Sequence, residues 1–265
     1  MKMMRFLRFV ASAIAMCASA AQASPLVTQW SVTDHLTFDP ASVQPGGGFP
    51  NPVLSNSNQT LSWGDASPQS SLVITNPGAV VSVTNGTPSQ VATVTHNNNV
   101  IPAGNSLTSV VIDAALHITS SQDPSVNFNS TATFKVLFDE TPNGDNPCAD
   151  GGSLGAGINS GNGCADIFVV LGGLNATSFQ DSLFNTYYVS FGANGFGQLS
   201  NAACAAAGTA AGCLGFETAE GQSTPANFFI NITATPFSVP EPGSVALVGL
   251  ALASLGWVAR RRSMK

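Results

Sequence analysis

The densest oxygen chemistry in the chain is the run Asp139-Glu140-Thr141-Pro142-Asn143-Gly144-Asp145-Asn146-Pro147-Cys148-Ala149-Asp150. Calcium takes about six to eight oxygens, and carboxylates mixed with Asn amides and backbone carbonyls supply them. Asp139, Asp145 and Asp150 are the candidate metal carboxylates, and calcium is the candidate cofactor. Their spacing departs from the EF-hand pattern, and Pro142 and Pro147 interrupt any regular repeat. The competing reading is an ordinary solvated loop held by a disulfide. Just after it, Gly151-Gly152-Ser153-Leu154-Gly155 spells the nucleophile-elbow pattern. That motif needs a hydrophobic strand before the serine and a helix after it. Gly157, Gly161 and Gly163 surround it instead, and His35, His96 and His117 all precede it, against the hydrolase order of Ser, acid, His. We expect no catalytic residue here. A glycosidase carboxylate pair is recognised by its separation in space, which spacing along the chain does not give.

A second polar segment, Val94-Thr95-His96-Asn97-Asn98-Asn99-Val100-Ile101-Pro102, contains a histidine with no nearby carboxylate or second histidine. That makes a poor metal site. The expectation is structural: His96 buried and donating to a backbone carbonyl in its own turn, with Asn97 and Asn98 closing the turn through their amides. The rival is a ligand role. Trp30, Trp63, Tyr187 and Tyr188 are candidates for stacking on sugar rings, each weighed against a place in the core.

Before any fold is argued, the ends are set aside as processing segments. Residues 1–23 place Lys2, Arg5 and Arg8 ahead of an apolar run and close on Ala21-Gln22-Ala23, which reads as a signal peptide cut after Ala23. The Sec machinery and signal peptidase are then partners. Cys17 only faintly resembles a lipid-attachment site, since Met16 is larger than the small residue expected before such a cysteine. At the other end, Pro240-Glu241-Pro242 leads into an apolar segment from Gly243 to Ala259 and then Arg260-Arg261-Arg262. The segment is just long enough for a tilted span, and the arginines should stay cytoplasmic.

Between the ends lies one exported domain, 24–239. Of the eight basic residues, the signal holds three and the tail four, leaving Lys135; of the fourteen acids, only Glu241 leaves with the tail. The domain therefore carries thirteen acids against one base, a formal −12. Such a surface repels phosphate, which argues against nucleic acid and favours cations and neutral partners. Cys148, Cys164, Cys204 and Cys213 read as disulfides in an exported chain. Three pairings are possible, and the expected one is local, Cys148–Cys164 and Cys204–Cys213. Zinc is the rival, weakened by the lack of a Cys-x-x-Cys.

The positioning elements are β-strands. Short Val-, Ile-, Thr- and Phe-rich runs separated by Pro, Gly and Asn predict strands near 27–33, 59–63, 71–74, 79–84, 91–96, 108–120, 130–140, 166–171, 186–191 and 227–235. Asn85-Gly86 is expected as a hairpin turn. In 108–120, Val110, Ile112, Ala114, Leu116 and Ile118 share one face. In 130–140, Phe134, Val136 and Phe138 do the same. Strands buried on one face predict an all-β, antiparallel β-sandwich, jelly-roll-like in form, followed by a hydrophobic sorting helix. The Ala-rich piece 201–211 predicts at most a short helix.

Two resemblances follow from these residues. Val-Pro-Glu-Pro, a short apolar helix and a terminal Arg run resemble the PEP-CTERM sorting signal, which implies processing by an exosortase in a Gram-negative bacterium that makes exopolysaccharide. The resemblance implies a transient membrane anchor and a destination at the cell surface or extracellular matrix. Thr95, His96 and Asn98 fit the Thr-His-x-Asn signature, and with Leu61-Ser62-Trp63-Gly64 and Phe138-Asp139-Glu140-Thr141-Pro142-Asn143 they resemble the THxN family of PEP-CTERM proteins, similar to the choice-of-anchor K domain. That resemblance implies location and architecture and transfers no catalytic role. The functional expectation is a non-catalytic exported surface or matrix protein; the alternatives are a carbohydrate-binding module or a polysaccharide hydrolase.

Overall fold

A computed structural model describes residues 25–47, 51–75, 78–101, 107–172 and 176–235. The expected signal peptide, 1–23, and the expected sorting tail from Pro240 to Lys265 lie outside the described residues.

The described chain is the antiparallel sandwich that the alternation predicts. Sheet I runs in the order β13 (Gly197–Gln198), β14 (Leu214–Thr218), β10 (Asp166–Leu171), β9 (Asn127–Asp139), β8 (Leu107–Ser120), β1 (Gln29–Phe38), β6 (Val80–Thr84), with β2 (Gln44–Pro45) beside β8. Sheet II runs β11 (Thr177–Gln180), β12 (Thr186–Asn194), β15 (Ser223–Thr235), β7 (Ser89–Asn97), β5 (Ser70–Thr75), β4 (Thr60–Trp63), β3 (Val53–Ser55). The central ladder pairs β8 with β9 from Ser109–Leu137 to Thr119–Asn127. Its register places Val110, Ile112, Ala114, Leu116 and Ile118 beside Phe134, Val136 and Phe138 on the face turned to sheet II, all of them buried. A one-residue slip would turn every one of these side chains to solvent, so burial fixes the register.

Strand β10 follows a different rule. Asp166 through Val169 are all buried, because both faces of this strand are covered. Phe168 enters the main core, while Ile167 and Val169 pack outward against Ala203, Cys204 and Cys213. The cover is helix α1 (Asn201–Ala206), capped by the Ser200 hydroxyl on the Ala203 N–H and stapled by Cys204–Cys213. Leu137, which alternation puts on the outer face of β9, packs into this same small cluster.

One turn differs from its sequence reading. Asn85-Gly86 does turn the chain, but the strands it joins lie in different sheets: β6 pairs with β1, and β7 pairs with β15 and β5. It is a crossover rather than a hairpin. Asn85 is held there by accepting from Trp30 Nε1 at 2.7 Å and donating to the Val27 carbonyl at 2.8 Å. A two-residue turn signal specifies local chain reversal, while partner choice is decided by which faces can be buried.

Asp34 is a second departure from simple patterning. It occupies the inward face of β1 in series with Trp30, Val32, Leu36 and Phe38. Its Oδ1 has no hydrogen-bond partner among the described residues, and burial raises its pKa from 3.8 to about 6. An acid whose folded pKa is raised binds its proton more tightly in the native state, so stability falls as pH climbs from 3.8 to about 6 and stays lower above. Asp34→Asn should therefore stabilise the domain at pH 7 by about 1–3 kcal/mol, with the gain vanishing below about pH 4. Urea titrations of both proteins at pH 4 and pH 7 check this; equal stability at pH 7 would contradict it.

Candidate functional site

The polar knot of the molecule sits at one end of the sandwich, where the ends of β9, β10 and β14 meet the end of β7. Strand β7 delivers its residues alternately. Thr95 and Asn97 fall on the outer side, where Asn97 donates to Ser71 and accepts from Ser223. His96 and the following Asn98 point inward and are buried. The His-x-Asn spacing is thus a strand period, carrying two polar groups into the interior.

His96 is buried as expected, but it makes no hydrogen bond in its own turn. Its register neighbours are Leu72 on β5 and Thr224 on β15, so it stands within sheet II rather than in a loop. Neither ring nitrogen has a hydrogen-bond partner among the described residues. What holds it is aromatic packing. The ring stacks on Trp63 at 5.7 Å and meets Phe138 edgewise at 5.3 Å, with Phe168 and Phe216 behind. Burial pushes its pKa down from 6.5 to about 3, so the imidazole is neutral in the folded protein.

Beyond this aromatic box lie three carboxylates. Glu140 follows β9, Asp166 opens β10, and Glu220 sits in the turn joining β14 to β15. One oxygen from each lies within 4.8 Å of the others. Asp166 and Glu220 are 0% and 1% exposed, and both Glu140 oxygens are buried. Desolvation by burial raises all three pKa values, with mutual repulsion adding to the rise at Glu140 and Asp166. Glu140 is pushed up to about 8, and Asp166 rises well above its usual value. Glu140 and Asp166 are close enough to share a proton.

The surroundings of the cluster are built to hold it. Thr141 donates its backbone N–H to Asp166 Oδ1 at 3.1 Å and its hydroxyl to the Ala165 carbonyl. Asn98 donates Nδ2 to the Thr218 carbonyl at 2.8 Å, and its Oδ1 has no donor among the described residues. Its backbone binds the turn that carries Glu220: the Asn98 N–H reaches the Gln222 carbonyl, and the Gly221 N–H reaches the Asn98 carbonyl. The amides of Asn143 and Asn98 both bear on Glu220 and partly offset the rise in its pKa. Gly163 closes the side of the knot. A Cβ there would collide with Asn143 Oδ1 and stand 2.8 Å from Glu220 Cγ, so only glycine lets the chain pass.

The loop between Asn143 and Asp166 is clasped by Cys148–Cys164, and the second bridge joins Cys204 to Cys213, the local pairing expected from spacing. The calcium carboxylates expected from the sequence do not gather. Asp150 instead shapes its own loop, accepting from the Gly152 N–H and from Asn159 Nδ2. Among the described residues, the metal-type grouping is Glu140, Asp166 and Glu220 rather than Asp139, Asp145 and Asp150. Only Glu140 and Asn143 of the expected loop take part. Asp166 and Glu220 were missed because they lie far along the chain from Glu140, Asp166 without another acid near it and Glu220 three residues after Glu217. Asp166 does carry a signal: it opens the unbroken apolar run Ile167-Phe168-Val169-Val170-Leu171, where no charge belongs without a partner.

Ser153 lies in an irregular loop with neither strand before it nor helix after it, so the nucleophile-elbow geometry is missing. Of the sugar-stacking candidates, Trp30, Trp63 and Tyr187 are fully buried, whereas Tyr188 is 48% exposed. Among the described residues no helix is long and apolar enough to cross a membrane.

The acid limb of stability should report His96. A neutral buried histidine must gain a proton on unfolding, so stability is lost as pH falls from 6.5 toward about 3. His96→Phe keeps a ring against Trp63 and removes that titration, so its stability should fall less steeply across this window. His96→Ala leaves a cavity and should lose roughly 2–4 kcal/mol at neutral pH. Chemical denaturation at pH 4 and pH 7 measures both; parallel pH profiles for wild type and His96→Phe would refute the buried neutral histidine.

Residues 238–262 match the family model for the PEP-CTERM protein-sorting motif. No curated protein matches the chain. The match covers the Pro-Glu-Pro element, the apolar segment and the three arginines; it shows that the chain carries a PEP-CTERM sorting motif, which implies an exported protein handed to an exosortase and transiently anchored in the membrane before cleavage.

Proposed function

We propose that this chain is a non-catalytic component of the cell surface or extracellular matrix of a Gram-negative bacterium, associated with exopolysaccharide. The observation that carries the reading is the sorting motif at residues 238–262. Its resemblance implies a host that exports polysaccharide. Two disulfides suit an oxidising destination. The surface is rich in Asn, Ser, Thr and Gln and holds one lysine among the described residues, which suits neutral hydroxylated partners over nucleic acid.

The THxN-type assignment also belongs to this proposal. Its support is that Trp63, His96 and Phe138, one from each of the three segments that carry the resemblance, pack together as one aromatic cluster. Against a hydrolase stand two features: Ser153 lacks the elbow, and the oxygens of the clustered carboxylates are sealed from solvent, out of reach of a glycosidic oxygen. Against a stacking-type carbohydrate-binding module stands the interior position of Trp30, Trp63 and Tyr187.

Protein released by the producing cells tests the reading. Its intact mass should correspond to a chain that begins at Ser24 and lacks the tail from about Pro240 onward. It should co-sediment with exopolysaccharide from the same cells without generating reducing ends. Released protein that retains Lys265, or reducing ends that accumulate in proportion to added protein, would overturn it.

A further inference from the structure

We infer that Glu140, Asp166 and Glu220, completed by the side-chain oxygens of Asn98 and Asn143, form a buried calcium site that locks the two sheets together at this end of the sandwich. The carboxylates need a positive partner, since charges of one sign within 4.8 Å are held away from water. Among the described residues no side chain supplies it: Lys135 is the one basic residue apart from histidine, and it is exposed on the outer face of β9. His96 is the histidine of the aromatic box, and neither of its ring nitrogens bonds the cluster among the described residues.

The acid cluster does not stand alone. Asn98, 1% exposed, has its Nδ2 committed to the Thr218 carbonyl and its Oδ1 left without a donor, and its amide bears on Glu220. Asn143 Oδ1 is likewise buried and without a donor. A buried amide oxygen without a partner is unfavourable unless something else binds it. Around the cluster, Glu140 Oε1 and Oε2, Asp166 Oδ2, Glu220 Oε1 and Oε2, Asn98 Oδ1 and Asn143 Oδ1 are buried without a close hydrogen bond among the described residues; only the Trp63 indole bears on Glu140, and the Asn98 and Asn143 amides on Glu220. Calcium takes about six to eight oxygens, from carboxylates and amides in irregular geometry, whereas magnesium keeps several waters and demands an octahedron. Three buried carboxylates with two buried amide oxygens beside them suit the larger ion.

The position explains why a cation would matter. Glu140 follows β9 and Asp166 opens β10 of sheet I, Asn98 continues β7 of sheet II, and Glu220 lies on the turn that carries the chain from β14 in one sheet to β15 in the other. One ion would tie four chain segments and the disulfide-clasped loop.

The test uses the protein as released by the producing cells, stripped with EGTA and dialysed, with calcium chloride as probe. Calcium about 100-fold above its dissociation constant should raise the melting temperature by roughly 5–10 °C. Isothermal titration should give one site per chain. Asp166→Asn combined with Glu220→Gln should abolish both signals and raise the melting temperature of the stripped protein, because like charges are removed. Terbium in place of calcium should give emission sensitised by Trp63, lost in Trp63→Phe while the calcium-induced shift persists. Absence of a calcium response in the wild type overturns the site, and so does calcium binding undiminished in the double variant. If the double variant does not fold, Asn98→Leu, which removes one neutral oxygen, decides: calcium affinity should fall at least 10-fold, and unchanged affinity refutes the assignment. A response to magnesium equal to that to calcium also refutes it. Asp145→Asn with Asp150→Asn should bind calcium as wild type does; loss of binding there would move the site to the loop and contradict the proposal.

Discussion

Three carboxylates held within 4.8 Å of one another, away from water, are the constraint around which this end of the molecule is organised. At an effective dielectric near 20, each ionised pair at that separation repels by roughly 3 kcal/mol. Desolvation adds several kcal/mol per ion. A fold whose net stability is typically about 5–15 kcal/mol cannot carry such a cluster fully charged and unmatched. It is held only if the groups share protons or a cation neutralises them, and the neighbouring amide oxygens favour the cation. The acidic excess of the domain is then more than a surface property.

The cluster depends in turn on an apolar scaffold. Trp63, His96, Phe138, Phe168 and Phe216 form a continuous aromatic layer between the two sheets. The layer excludes water on the inner side, and the loop clasped by Cys148–Cys164, with Asp150 and Asn159 bonded across it, packs the other. A bridge closing a loop of this length adds on the order of 2–4 kcal/mol by restricting the unfolded chain. The strands supply direction, the rings supply the dry wall, and the bridge holds the loop from which Glu140, Asn143 and Asp166 enter. Export fits this design, since the bridge needs an oxidising compartment and calcium is abundant outside cells.

How much of this could be read along the chain differs from element to element. The long strands β8 and β9 were legible because each alternates over a dozen residues and buries one face. The cysteine pairing was legible because short loops in Gly- and Ala-rich segments leave little strain in the local solution. Strands β3, β11, β13 and β14 were not: they are short, and Leu214-Gly215-Phe216-Glu217-Thr218 shows too few periods to separate from loop. Gly215 is essential there, since a Cβ would run into the Phe168 backbone of β10, a close approach that sequence alone does not announce. The site was half legible. The acid-rich loop pointed to the right region and to oxygen chemistry, but Asp166 and Glu220 reach the site only through strand pairing across the fold. His96 was placed correctly in the interior, yet what holds it is ring packing, because β7 carries it inward instead of ending in a turn.

The most direct test of the central claim is amide hydrogen exchange on the protein as released by the producing cells, with calcium and after EGTA. The account predicts that chelation speeds exchange together at three amides: Thr141 (bonded to Asp166), Asn98 (bonded to Gln222) and Gly221 (bonded to Asn98). The β1–β8 ladder, from Trp30–Ser120 to Phe38–Ile112, should keep its protection. Unchanged protection at Thr141, Asn98 and Gly221 would contradict a cation holding this end of the sandwich together.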